Sequence, residues 1–165
     1  NPLNFNILEQ NRRTLNYTTE VAINRSREHV VRLLEDSDNF KHWQRGLQSL
    51  RPLTGEPGEE GFQRELEYQM GKRHLVMVET MITKTLPETF CVTYDAKGVH
   101  NIQKNYFKEA GEDGCRWICE NEFQFSSFPM RLMGWLMPGM FKKQTRTYMI
   151  DFKNFAEQGT SVSEK

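Results

Sequence analysis

Apolar and polar positions follow two different spacings along this chain. Leu15, Tyr17, Thr19, Val21 and Ile23 alternate with Asn16, Thr18, Glu20 and Asn24, the period of a half-buried strand. Ser26 then stands where a helix needs a cap, and the pairs Val30-Val31 and Leu33-Leu34 give the next turns an apolar face that ends near Asp36. A second short helical turn, Asp38 to Trp43, brings Phe40 and Trp43 toward the core. Beyond it come strand-like runs separated by turn residues: Leu47 to Leu53, Phe62 to Met70, His74 to Thr85, Thr89 to Asp95, Val99 to Lys108 and Cys115 to Phe125. Gly71-Lys72, Pro87, Lys97-Gly98 and Gly111 to Gly114 mark the corners, so the spacing predicts an antiparallel meander.

The closing segment changes period again. From Phe128 to Glu157, Gly134, Phe141, Thr145, Tyr148, Phe152 and Phe155 share one helical side, whereas Lys142, Lys143, Arg146 and Lys153 fall largely elsewhere. This predicts one long amphipathic helix of about 40 Å, capped by Ser127 with Pro129 in its first turn and released at Gly159. Its first half is apolar nearly all round and rich in methionine (Met130, Met133, Met137, Met140), with a kink expected at Pro138-Gly139. Methionine fills irregular or changing spaces, so this half suits the cover of a cavity with variable contents; a methionine-rich core helix is the plainer alternative.

Lys plus Arg and Asp plus Glu both count 22 in the 165 residues, which gives no electrostatic signal for nucleic acid. The three cysteines cannot all pair, and Cys115 and Cys119 lie on one predicted strand, poor geometry for a bridge, so a reducing, cytoplasmic setting is expected. No apolar run reaches membrane-spanning length. Two glycosylation-type triplets, Asn16-Tyr-Thr18 and Asn24-Arg-Ser26, are short enough to be incidental. The chain therefore divides into a loose arm over residues 1–13, one domain over 14–157 and a flexible tail over 158–165.

The order of these elements, with Ser26-Arg-Glu-His-Val-Val-Arg-Leu-Leu-Glu-Asp36, Asn39-Phe-Lys-His-Trp43 and the terminal Phe152-Lys-Asn-Phe-Ala-Glu157, resembles the SRPBCC superfamily, especially its polyketide cyclase/dehydrase-like branch. The resemblance spans residues 14 to 157 and rests on diffuse apolar signatures rather than catalytic ones. It implies an α+β helix-grip fold, shared with START lipid-transfer domains and birch-pollen-allergen proteins. In that fold a curved antiparallel sheet of about seven strands wraps a long C-terminal helix, with two short helices after the first strand. It also implies an apolar cavity for lipids, polyketides, sterols or other hydrophobic molecules.

Strand phase then nominates cavity residues. Phe62, Arg64, Leu66, Tyr68 and Met70 share one face. A two-residue loop at Gly71-Lys72 sets Leu75, Met77, Glu79 and Met81 on the same face, with Glu79 opposite Arg64. A three-residue turn instead brings Val76, Val78 and Thr80 inward and leaves Glu79 in solvent, and the sequence fits both. The last strand turns Cys115, Trp117, Cys119, Asn121, Phe123 and Phe125 to one side, with Asn121 as a polar group among apolar ones. The candidate ligand contacts are Phe62, Arg64, Leu66 and Tyr68, Met77 and Glu79, Tyr94 from the middle of the meander, Trp117, Cys119, Asn121 and Phe123, and Met133, Met137, Phe141 and Tyr148 from the helix. Arg64, Asn121, Glu79 and Tyr68 would fix the polar end of an oily ligand; alternatively Arg64 and Glu79 are a structural pair and Asn121 bonds to backbone.

Chemistry is sparsely signalled. His29, His42, His74 and His100 have no metal-ligand spacing, and no nucleophile motif, phosphate loop or cofactor motif is present. Three function classes follow, led by binding or carriage of a small hydrophobic molecule. The second is a cyclase or aromatase, in which Arg64 stabilises an enolate and Tyr68 or Glu79 moves a proton. The third is transient docking to a membrane or partner through Trp135 to Phe141, flanked by Arg131, Lys142 and Lys143. No cofactor, metal or nucleic acid is expected, and oligomeric state is not encoded in any of these signals.

Overall fold

The computed structural model describes residues 14–164, so the expected arm over residues 1–13 lies outside the described residues. Strand β1 (Thr14–Ile23) leads into helix α1 (Arg27–Glu35), a 3-10 turn (Ser37–Asn39) and the single-turn helix α2 (Phe40–Trp43). Ser26 caps α1 by accepting from the His29 amide, and the Asp36 carboxylate accepts from the Asp38 amide at the next corner. Strands β2 (Leu47–Thr54), β3 (Gln63–Met70), β4 (Arg73–Thr85), β5 (Thr89–Ala96), β6 (Val99–Glu109) and β7 (Cys115–Phe125) follow as a meander. The sheet order is β1-β7-β6-β5-β4-β3-β2 with every pair antiparallel, so the first strand closes on the last.

The hairpin between β3 and β4 takes the two-residue alternative. Met70 pairs with Arg73 across Gly71-Lys72, and Gly71 at φ 61° supplies the left-handed conformation that such a loop uses at its first position. Glu79 is thereby fixed opposite Arg64, and both point to the concave face.

The terminal segment corrects the expectation of one kinked helix. It forms two helices, α3 (Phe128–Leu136) and α4 (Pro138–Gln158), separated at Met137, whose φ of −134° and ψ of 52° are not helical. The ring of Pro138 disfavours helical geometry in the residue before it, while proline itself suits the first turn of the helix it opens. Ser127 caps α3 through the Met130 amide, and Gly159 ends α4 in the left-handed conformation. The following segment, expected as a loose tail, turns back: Ser161 is buried with its hydroxyl 3.0 Å from His42 Nδ1, and Val162–Glu164 form a 3-10 turn.

The packed core occupies one end of the concavity. Ile23, Val30, Val31, Leu34, Phe107, Trp117 and Phe152 belong to a single buried cluster joining β1, β6, β7, α1 and α4. Phe152 is fully covered and presents its ring edge-on to Trp43 and to Trp117, each at 5.4 Å between centroids. Toward the amino end of α4 this packing stops and a space opens. No helix among the described residues is long and apolar enough to cross a membrane.

Candidate binding site

A hollow of about 1070 Å³ lies between the concave face of the sheet and α4. The sheet bends around α4, and the helix is packed solid against it only where Met149 and Phe152 join the buried cluster. Phe141, Thr145 and Tyr148, one turn apart on α4, face the hollow, and Tyr17 of β1 secures this stretch through hydrogen bonds to Thr145 Oγ1 (2.8 Å) and the Phe141 carbonyl (3.2 Å). Val31 and Leu34 of α1 and Phe40 and Trp43 of α2 close one side.

Most of the sequence-nominated residues converge here. Phe62 just before β3, Arg64 and Tyr68 of β3, Met77 and Glu79 of β4 and Tyr94 of β5 all line the hollow. Trp117, Cys119 and Phe123 of β7 and Phe141 and Tyr148 of α4 also line it. Four do not. Leu66 is fully buried by packing, and Asn121, also buried, spends its amide on Asn101 and on Cys119 Sγ rather than on backbone. Met133 is only half-buried and Met137 is exposed at the helix break. A continuous helix would carry Met133 and Met137 on the side of Phe141 at four-residue spacing, but the break rephases α3, so that Met130 and Met140 reach the hollow instead.

Polar wall residues that the sequence did not nominate include Gln44, Asn101, Gln103, Gln144 and Thr145 inside and Arg32, Glu35, Asp36, Ser37, Arg73 and Lys84 around one side. The signal for Asn101 and Gln103 was present in the alternation of β6, where Val99, Asn101, Gln103, Asn105 and Phe107 share one phase. It was obscured because Ile102 occupies the opposite one.

The inward charges of β3 and β4 are paired. Arg64 Nη2 lies 2.6 Å from Glu79 Oε1, its Nη1 donates to Ser37 Oγ at 2.9 Å, and the guanidinium stacks 4.4 Å above the Phe40 ring. Tyr68 donates to Gln44 Oε1, and Arg45 clasps the buried Asp151 carboxylate with two hydrogen bonds of 2.6 and 2.8 Å. Burial pushes the Tyr68 phenol well above its ordinary value, with Tyr148 and Glu79 adding to the effect; Tyr94 is raised in the same way, by burial and then by Glu79. Burial pushes the Cys119 thiol up to about 12. No histidine lines the hollow, and among the described residues no three His, Cys, Asp or Glu side chains converge to hold a metal ion. The wall can thus sort a guest by shape and by a few hydrogen bonds.

Solved structures with the same architecture are numerous. A conserved protein from Geobacillus kaustophilus superposes with a TM-score of 0.71 at 13% identity, covering 86% of this chain and 95% of that one. The SRPBCC resemblance holds at the level of the fold. The chain has the helix-grip fold. Norcoclaurine synthase from Thalictrum flavum shares it (TM-score 0.67, 12% identity, 88% of this chain and 94% of that one), as does major latex-like protein 151 from Panax ginseng (0.66, 9%, 87% and 97%). The sequence matches no protein-family model and no curated protein. At such identities the helix-grip likeness concerns architecture alone, and what the hollow accepts has to be read from its own walls.

Proposed function

We propose that this helix-grip protein binds and carries a small hydrophobic molecule, of lipid, polyketide or aromatic character, between the sheet and α4. The observation that carries the reading is a hollow of about 1070 Å³ walled by Phe62, Met77, Val92, Phe123, Phe141 and Met149 with a few fixed polar groups. Pockets of small-molecule size and composition look like this. A norcoclaurine synthase structure of the same fold was solved with dopamine and hydroxybenzaldehyde, so this architecture accommodates aromatic guests elsewhere. Three unpaired cysteines fit a reducing, cytoplasmic setting.

A cyclase or aromatase activity is less well supported. It would need Glu79 or Tyr68 to move a proton, whereas Glu79 is held by Arg64 and Tyr68 is committed to Gln44 with its phenol raised by burial. Native mass spectrometry of the purified protein, followed by organic extraction, tests carriage. A co-purifying apolar compound at one per chain is the expected result; protein that arrives empty and takes up no apolar compound offered to it contradicts the reading.

A second reading rests on a separate observation and complements the first. Phe128, Leu132, Trp135 and Leu136 lie at i, i+4, i+7 and i+8 on α3 and are exposed, Trp135 at 77% and Phe128 at 71%. Met137 and Met140 extend this patch, and from Phe123 to Ile150 the chain carries Arg131, Lys142, Lys143 and Arg146 but no acidic residue. An apolar helix face within a purely basic stretch suits an anionic lipid surface, where a guest of the hollow would be loaded or released. Co-sedimentation with phosphatidylserine-containing vesicles, weaker with phosphatidylcholine alone and lost in Trp135→Ser/Leu136→Ser, is the expected outcome. Absence of binding to either vesicle contradicts it.

A further inference from the structure

Glu79 and Asp151 are the two buried carboxylates among the described residues, and an arginine holds each of them in a different way. Arg45 spreads over Asp151: Nε donates to Oδ2 at 2.6 Å and Nη2 to Oδ1 at 2.8 Å, so both oxygens are used. Arg64 addresses one oxygen only. Its Nε donates to Glu79 Oε1 at 2.8 Å and its Nη2 lies 2.6 Å from the same atom, while Nη1 turns away to Ser37. Glu79 Oε2 receives none of these donors, although a buried carboxylate oxygen is costly to leave without one.

Beside this carboxylate stands Tyr94. It pairs in register with Glu79 from β5, and its ionisation is opposed first by burial and next by Glu79. Both residues line the hollow, and neither Glu79 Oε2 nor the Tyr94 hydroxyl is among the side-chain atoms that are fully covered without a partner. The free carboxylate oxygen and the phenol therefore face the space that a guest would occupy.

We propose that Glu79 Oε2 and the Tyr94 hydroxyl form a subsite for a neutral hydroxyl group, so that the hollow takes apolar alcohols and phenols and turns away carboxylates such as ionised fatty acids. The inference rests on the hollow being a binding site. A hydroxyl donates to the carboxylate oxygen while accepting from the phenol, and so uses both groups at once. A guest carboxylate has no proton to donate and would meet the charge of Glu79 in a setting poor in water. A guest ammonium would bring a second cation to a carboxylate that Arg64 already matches.

Equilibrium titrations near neutral pH with 2-naphthol, 2-methylnaphthalene and 2-naphthoate test this, because the three share one ring system and differ in the group that meets the subsite. The wild-type protein is expected to bind 2-naphthol about tenfold more tightly than 2-methylnaphthalene, the discrimination of one buried hydrogen bond, and 2-naphthoate more weakly than either. Glu79→Gln removes the negative charge and frees Arg64 to pair with an anion, and is expected to bind 2-naphthoate at least as tightly as 2-naphthol. Tyr94→Phe is expected to bring 2-naphthol down to the level of 2-methylnaphthalene. Wild-type protein that binds 2-naphthoate as tightly as 2-naphthol, or 2-naphthol no more tightly than 2-methylnaphthalene, overturns the subsite and leaves the hollow as a binding site. An order of affinities unchanged by Glu79→Gln does the same. Binding of none of the three by folded protein overturns both. The wild-type series and Tyr94→Phe decide the matter even where Glu79→Gln fails to fold.

Discussion

Arg64 and Glu79 face each other across the β3–β4 hairpin with 2.6 Å between Nη2 and Oε1, their side chains only 12% and 6% exposed. The pair exists because a two-residue loop fixes the register, and a slip of β4 by one position would turn Glu79 outward and leave Arg64 without its partner. Removing one partner leaves an uncompensated buried charge, whereas removing both leaves an apolar wall. Arg64→Met and Glu79→Leu are each expected to cost about 3–5 kcal/mol in urea unfolding, and the double variant much less than their sum. Additive losses would show that the charges are not coupled.

Glu157 ties the end of α4 to the β1–α1 corner, accepting from the Asn24 amide at 2.6 Å and from Lys153. Burial opposes its ionisation, but the Asn24 amide, Lys153 and Arg25 outweigh that and hold its carboxyl below the ordinary value. A depressed carboxylate contributes stability that is complete above its unfolded-state pKa and is lost as pH falls through the lower folded value. Thermal melts from pH 7 to pH 3 should therefore show a loss on the acid side in the wild type. Glu157→Gln should be less stable at pH 7 by about 1–2 kcal/mol and flatter with pH.

Gly98, in the β5–β6 turn, and Gly139, in the first turn of α4, give opposite expectations for the same change. Gly98 has φ 80°, and a Cβ there would come within 2.4 Å of Ser127 Oγ, the hydroxyl that caps α3. A Cβ at Gly139 would meet nothing within 4 Å. Gly98→Ala is expected to destabilise by about 2–3 kcal/mol and Gly139→Ala to be neutral or slightly stabilising in the same melts.

The cysteines should be inert in the folded protein. Burial pushes the Cys115 thiol up to about 11 and that of Cys119 up to about 12, and raises Cys91 to a lesser degree. The thiolate is the reactive species, so iodoacetamide at pH 8 is expected to leave Cys115 and Cys119 unmodified in native protein and to alkylate all three cysteines in urea, as read by intact mass. Rapid native labelling of Cys119 would mean that the β7 wall opens.

The strand phases of β1, β3 and β7 are legible because alternation there is strict, and that phase alone puts Phe62, Arg64, Tyr68, Trp117 and Phe123 on the inner side where the hollow lies. The β3–β4 register was not legible, since Met77 and Val78 make both faces of β4 apolar and only the loop geometry separates the two pairings. The placement of Met133 and Met137 failed for a different reason: helical spacing is read as continuous, and a proline that starts a new helix breaks the count. Asn101 and Gln103 are harder to read, because the alternation of β6 that carries them puts polar residues inward and Ile102 on the opposite face.

The central claim is that the hollow between the sheet and α4 admits an apolar guest. In Trp135→Phe the remaining tryptophans, Trp43 and Trp117, both line that hollow, and quenching by a bromoaromatic needs near contact. Titration of this variant with 1-bromonaphthalene is predicted to give saturable quenching at one equivalent per chain. Quenching that rises linearly without saturation, no stronger than for the urea-unfolded protein, would contradict it.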